Sequence, residues 1–209
     1  MRLQTCTGAP SPRRVELFLA EKGIELECSE VNLRAGEHLS DEFAAKSPEC
    51  TVPVLELDDG GCLWNTLAIR QYLENLHPEP ALLGRDARER AEVLQWSVWI
   101  EHNGFLSAAE AFRNAVPGMK DHALPGRRPV AQIAELAERG RVRFGHFLDD
   151  LDQRLAAREY LATGAFTTVD IDAFVVIEFG LRVTKGTLDG HERLAAWQQR
   201  IAARPAFAS

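Results

Sequence analysis

The stretch TVPVLELDDGGCLWNTLAI, Thr51 to Ile69, decides how this chain folds. Val52-Pro53 opens it, an apolar run follows through Val54, Leu55 and Leu57, and Asp58-Asp59-Gly60-Gly61 makes a turn before Cys62, Leu63 and Trp64. Two β-type runs around an Asp-Gly or Gly-Gly turn read as a hairpin. Asn65-Thr66 then stands at a helix N-cap, ahead of Ile69, Tyr72, Leu73 and Leu76 at the spacing of one helical face. A proline-led hairpin running straight into a capped helix sets a backbone edge near Val52 beside a helix N-terminus near Thr66. Free N–H groups at such a terminus suit a carboxylate, and an open backbone edge suits a peptide. Together they describe a site for a small peptide-like acid.

Upstream of the hairpin, Arg2 to Thr5 reads as a short strand and Thr7-Gly8-Ala9-Pro10-Ser11-Pro12 as a loop. Pro12 is tolerated at a first helical position. Val15, Phe18 and Leu19 form an apolar helical stripe that ends at Lys22-Gly23, a C-terminal signal. Leu26 to Val31 alternates as a second strand, and a helix is expected around Asp41 to Lys46. The resulting order β-α-β-α-β-β-α is an α/β, thioredoxin-like arrangement for residues 1–78. His77-Pro78-Glu79-Pro80 breaks the pattern, which puts a linker at 79–85. From Asp86 strand signals vanish, so 86–209 is expected to be all-α. Long helices are expected from about Asp86 to Ala115 and Val130 to Ala157, with shorter ones from Thr168 and Glu192. In FTTVDIDAF, Thr167 and Asp170 have capping-box spacing with Phe166 and Ile171 as the staple, a folding role rather than a catalytic one.

Composition narrows the function classes. The 209 residues are 45% hydrophobic and 26% charged with a net charge of −7, an ordinary globular balance that argues against a nucleic-acid surface and against a membrane span. The opening MRLQTCTGAP has no charged start followed by an apolar run, so a cytoplasmic location is expected. Cys6, Cys28, Cys50 and Cys62 contain no C-x-x-C pair and read as reduced, buried or semi-buried thiols. Phosphate loops, HExxH and Gly-x-Ser-x-Gly are absent, so no metal or nucleotide is expected.

The Val-Pro-Val-Leu hairpin with its polar pair and Ala-Ile resembles the glutathione-binding core of the glutathione transferase superfamily. SPRRVELFLAEKGIELE resembles that family's first helix and second strand, and GEHLSDEFAAKSPEC its GEH…EF…NP loop. The resemblance covers nearly the whole chain. It implies a cis Pro53 holding the Val52 backbone against the cysteinyl part of glutathione, and Asn65 and Thr66 on the γ-glutamyl carboxylate. It further implies His38 near the glycyl carboxylate, with Thr51 flanking the proline. The helix end carrying Phe112 and Arg113 would wall the electrophile site, whereas Trp96 and Phe105 read as core and Glu101 and His102 as surface or dimer contacts. A homodimer is implied, with glutathione as co-substrate and no other cofactor.

Three departures from the family pattern bear on chemistry. Ala9 stands where the family places its sulfur-activating Ser or Cys, Asn65 replaces Glu or Gln, and Cys50 replaces a common Gly. The pattern resembles a bacterial and fungal branch that lacks the usual Tyr, Ser or Cys in the first loop. Ser11, by hydroxyl or backbone N–H, is the leading substitute, although capping is the ordinary role of a serine there. Arg113 or Asn114 is a second source, and Cys6 reads as a core thiol. The expected activity is transfer of the glutathione thiolate to a small apolar electrophile, a detoxification chemistry. The alternative is a non-catalytic glutathione- or ligand-binding or regulatory protein that keeps the fold. A thiol-disulfide enzyme is nearly excluded, because Ala9-Pro10-Ser11-Pro12 has no sulfur where C-P-x-C is required.

Overall fold

A computed structural model describes residues 1–208. The first seven major elements are β1 (Arg2–Thr5), α1 (Pro10–Lys22), β2 (Glu27–Glu30), α2 (Asp41–Lys46), β3 (Val54–Glu56), β4 (Cys62–Trp64) and α3 (Thr66–Leu76). They occur in the thioredoxin-like order. The sheet runs β2-β1-β3-β4, with β1 parallel to β2 and β3 antiparallel to both β1 and β4. Val54 pairs with Trp64 and with Gln4, so the hairpin and the first strand share one register. Leu3, Leu55, Val15, Phe18, Ile69 and Leu73 are fully buried. They bring one face of α1 and of α3 together with the sheet, as the 3.6-residue stripes require.

Two local features give this unit its shape. The Val52-Pro53 peptide is cis, and Pro53 lies one residue before β3. Cys50, just upstream, has φ +53°, in the left-handed region that favours glycine; this is the physical reason a Gly suits the position. Cys50 is buried, Cys6 and Cys62 are half-buried, and Cys28 is exposed on the edge strand β2, contrary to the sequence expectation.

The helices that follow are α4 (Ala87–Ile100), α5 (Leu106–Arg113), α6 (Ala134–Arg154), α7 (Thr168–Thr184) and α8 (Glu192–Ala202). The expected helix from Asp86 to Ala115 is interrupted by a wider, π-type turn at Glu101–Phe105. Gly104 explains its place: a Cβ there would lie 2.6 Å from the Phe147 ring and 2.8 Å from Val176. The backbone therefore approaches α6 and α7 too closely for any side chain. The capping box of α7 forms as expected, with the Thr167 side chain and Asp170 bonding each other's backbone. Most of α7 is buried, including Val169, Ile171, Ala173, Val176 and Ile177, so it is the central strut of the helical unit. No helix among the described residues is long and apolar enough to cross a membrane.

By contacts, the chain divides into two compact units, one of residues 1–80 with 124–130 and the other of 81–123 with 131–209. The segment Leu124–Val130 therefore leaves the helical unit and joins the thioredoxin-like one. There Arg127 pairs with Asp41 at 2.5 Å.

Candidate functional site

The site in the first unit is assembled from three chain ends. β1 leads into the loop before α1, Pro53 precedes β3, and Asn65 follows β4. Because Val54 faces both Gln4 and Trp64, extending the ladder by one residue sets Pro53 beside Asn65 and beside the end of β1.

Asn65 is the N-cap of α3, and its side-chain oxygen accepts from the Leu67 N–H at 2.9 Å. That leaves its amide NH2 as the donor end. Its φ of +88° is costly for a residue with a side chain, a kind of strain that gathers where ligands are held. Thr66, nearly buried, donates its hydroxyl to the Ser11 carbonyl at 3.4 Å. This bond ties the start of α3 to the start of α1 and brings two of the residues singled out from sequence into contact.

Ser11 is not a helix cap. The cap position of α1 is Ala9, which makes no side-chain cap bond, and Ser11 is the second residue of the helix. Its hydroxyl oxygen instead accepts from Arg14 Nη2 at 3.0 Å. Pro10 and Pro12 have no N–H, so Ser11 carries the one backbone donor among the first three residues of α1. An N-terminus of a 13-residue helix with a single N–H at its mouth concentrates its partial positive charge on that group. Cys6 is a poor rival as a thiolate. Burial raises its thiol, and the charge of Glu30 raises it further.

Thr51 and Val52 lie in the connection to Pro53, and the Thr51 N–H is held by the Ser47 hydroxyl at 3.3 Å. His38 lies half-buried on the short turn Glu37–Leu39 ahead of α2.

In the helical unit, Phe112 is half-buried and packs edge-on against Phe179, which also meets Phe105. Arg113 donates to the His122 carbonyl at 2.9 Å, and burial lowers its pKa. Its guanidinium therefore braces the loop after α5. Two residues escaped the sequence reading: Arg14, whose Ser-x-x-Arg spacing was the available signal, and Arg127, for which loop composition gave none.

A thioredoxin-like unit with a cis-proline hairpin, continued by an all-helical unit, defines a class, and the comparisons agree with it. The chain belongs to the glutathione S-transferase family. Residues 9–76 match the family's N-terminal domain and 115–205 its C-terminal domain. It is 31% identical over 200 residues to glutathione S-transferase 2 of Saccharomyces cerevisiae, covering 95% of this chain and 84% of that one. Among solved structures, a glutathione S-transferase domain-containing protein of Marinobacter aquaeolei superposes with a TM-score of 0.92 at 31% identity, over 99% of this chain and 100% of that one. A class Gtt2 glutathione S-transferase of Vibrio parahaemolyticus does so with 0.86 at 34% identity, over 100% and 96%. These likenesses do not favour the non-catalytic alternative.

Proposed function

We propose that this glutathione transferase binds glutathione on its thioredoxin-like unit and activates the sulfur at the N-terminus of α1, with Ser11 as donor. The observation that carries the reading is the isolation of the Ser11 N–H between two prolines, with the Ser11 carbonyl bonded to Thr66, the residue after Asn65. The Val52 backbone before the cis-proline offers the peptide edge for the cysteinyl residue, with Thr51 flanking it. The Asn65 amide and the N–H groups opening α3 suit the γ-glutamyl carboxylate, and His38 is assigned to the glycyl end.

In the reaction, the bound thiol gives its proton to solvent, and the thiolate is stabilised by the Ser11 donors and the helix dipole. Its electron pair then forms a C–S bond to the electrophile while the bond to the leaving group breaks and its electrons depart with that group. Phe112 supplies apolar wall for a small electrophile, and Arg113 a cationic rim. We assign the enzyme to the cytoplasm, as a homodimer with a detoxifying role. We assign the exposed apolar side chains Leu94, Val98 and Leu106 on α4 and α5 to the contact with the second copy.

The test is a titration of bound glutathione, following thiolate absorbance against pH. A bound thiol pKa well below that of free glutathione is expected, and Ser11→Ala raises it by about one unit, the worth of a charge-assisted hydrogen bond. Binding with an unshifted thiol would sink the reading.

A further inference from the structure

A cation is buried near the start of α1. Arg14 lies in the second turn of α1, where positive charge opposes the helix dipole, and the first turn holds no acidic residue to offset it. Its side chain is only 3% exposed.

One of its contacts, the hydrogen bond to Ser11, bears directly on the site. A guanidinium has five N–H donors and no acceptor, so in the 3.0 Å contact between Arg14 Nη2 and Ser11 Oγ the serine oxygen must accept. The Ser11 proton therefore cannot point at Arg14 and is turned toward another acceptor. Residues three apart share a helix face, so the contact is built into the helix itself. From the other side, the Thr66 hydroxyl fixes the Ser11 carbonyl. We propose that Arg14 is a positioning residue: it holds the Ser11 oxygen as an acceptor and so directs the Ser11 O–H to the glutathione sulfur. A bond accepted from a cation also polarises that O–H and strengthens it as a donor. The inference rests on the reading of Ser11 given above.

The experiment is the bound-thiol titration on wild type, Ser11→Ala, Arg14→Lys, Arg14→Gln and the double variant Ser11→Ala/Arg14→Gln, each at saturating glutathione, with kcat/KM at pH 6.5 beside it. Arg14→Lys keeps the charge and a donor and so guards against loss of the fold. It should retain most of the thiol shift. Arg14→Gln should raise the bound thiol pKa by about half a unit to one unit and lower kcat/KM about three- to tenfold. In the Ser11→Ala background, Arg14→Gln should add nothing. If Ser11→Ala raises the thiol pKa but Arg14→Gln does not, the inference falls and the Ser11 reading stands. If Arg14→Gln acts equally with and without the Ser11 hydroxyl, Arg14 works as a bare charge and the inference again falls. If Ser11→Ala changes nothing, the hydroxyl reading and the inference fall together.

Discussion

Asn65 carries two duties that point in different directions, and substitution separates them. Its Oδ1 caps α3 through Leu67, while its φ of +88° strains any residue with a Cβ. Asn65→Ala loses the cap and keeps the strain, which should cost about 1–2 kcal/mol in denaturant unfolding. Asn65→Gly loses the cap and relieves the strain, so it should cost only a few tenths of a kcal/mol. Both variants lose the amide donor, and both should raise the KM for glutathione by about three- to tenfold. Stability thus distinguishes the two variants and affinity does not. A glycine variant with unchanged KM would remove the Asn65 amide from the site. The N-cap role was legible from the Asn-Thr pair ahead of an apolar helical face. The positive φ was not, because it is imposed by the meeting of β4 with α3 rather than by local propensity.

The helices were legible where a local signal sets them and obscure where a distant contact does. The capping box Thr167–Asp170 marks the start of α7 in sequence and forms as written. The π-type turn at Glu101–Phe105 has no such signal, since it depends on Phe147 and Val176 packing against the Gly104 backbone. Two carboxylates in this unit should leave opposite marks on stability. Burial pushes Asp170 up to about 6, although Leu161, Thr167 and Trp197 all donate to it. A folded pKa above the unfolded 3.8 gives stability that is present below about pH 4 and lost as pH rises through about 6. The deficit of Asp170→Asn relative to wild type should therefore shrink between pH 4 and pH 7, by about 3 kcal/mol at most. Asp152 behaves in reverse. Burial works to raise it, but the Leu194 N–H and the charge and N–H of Arg193 prevail and hold it below its ordinary value. From α6 it accepts the Arg193 and Leu194 N–H groups, both at 2.9 Å, and so caps α8. The deficit of Asp152→Asn should be full above about pH 4 and shrink as pH falls below it, through the lowered pKa of the folded state. Urea denaturation of the three proteins from about pH 2 to about pH 7.5 measures both slopes. A third change probes packing. A Cβ on Gly180 would fall 2.0 Å from the buried Phe144 ring, so Gly180→Ala should destabilise by about 1–3 kcal/mol.

Across the whole chain, the change from strand-bearing to purely helical sequence near residue 80 was readable, because proline clusters and the loss of β-type runs are local. The return of Leu124–Val130 to the thioredoxin-like unit was not, since LPGRRPV announces a loop without saying what it touches. Its described ion pair joins Arg127 to Asp41 at the start of α2, with side chains 49% and 92% exposed. Exposed pairs contribute little to global stability and are screened by salt, so the consequence should be local. Asp41→Asn should leave the thermal midpoint within about 2 °C of wild type while making the segment easier to open. Trypsin reads that opening directly. It cleaves after Arg127, whereas the bond after Arg128 is protected by Pro129, so the Arg127–Arg128 bond reports alone. Cleavage there under native conditions should be about two- to fivefold faster in Asp41→Asn at low ionic strength, the effect of losing a weak ion pair from the closed state. Raising salt should accelerate wild-type cleavage toward the rate of the variant and leave the variant's own rate unchanged. Equal rates at low salt would show that backbone packing around Gly126 and the two prolines holds the segment without help from the pair.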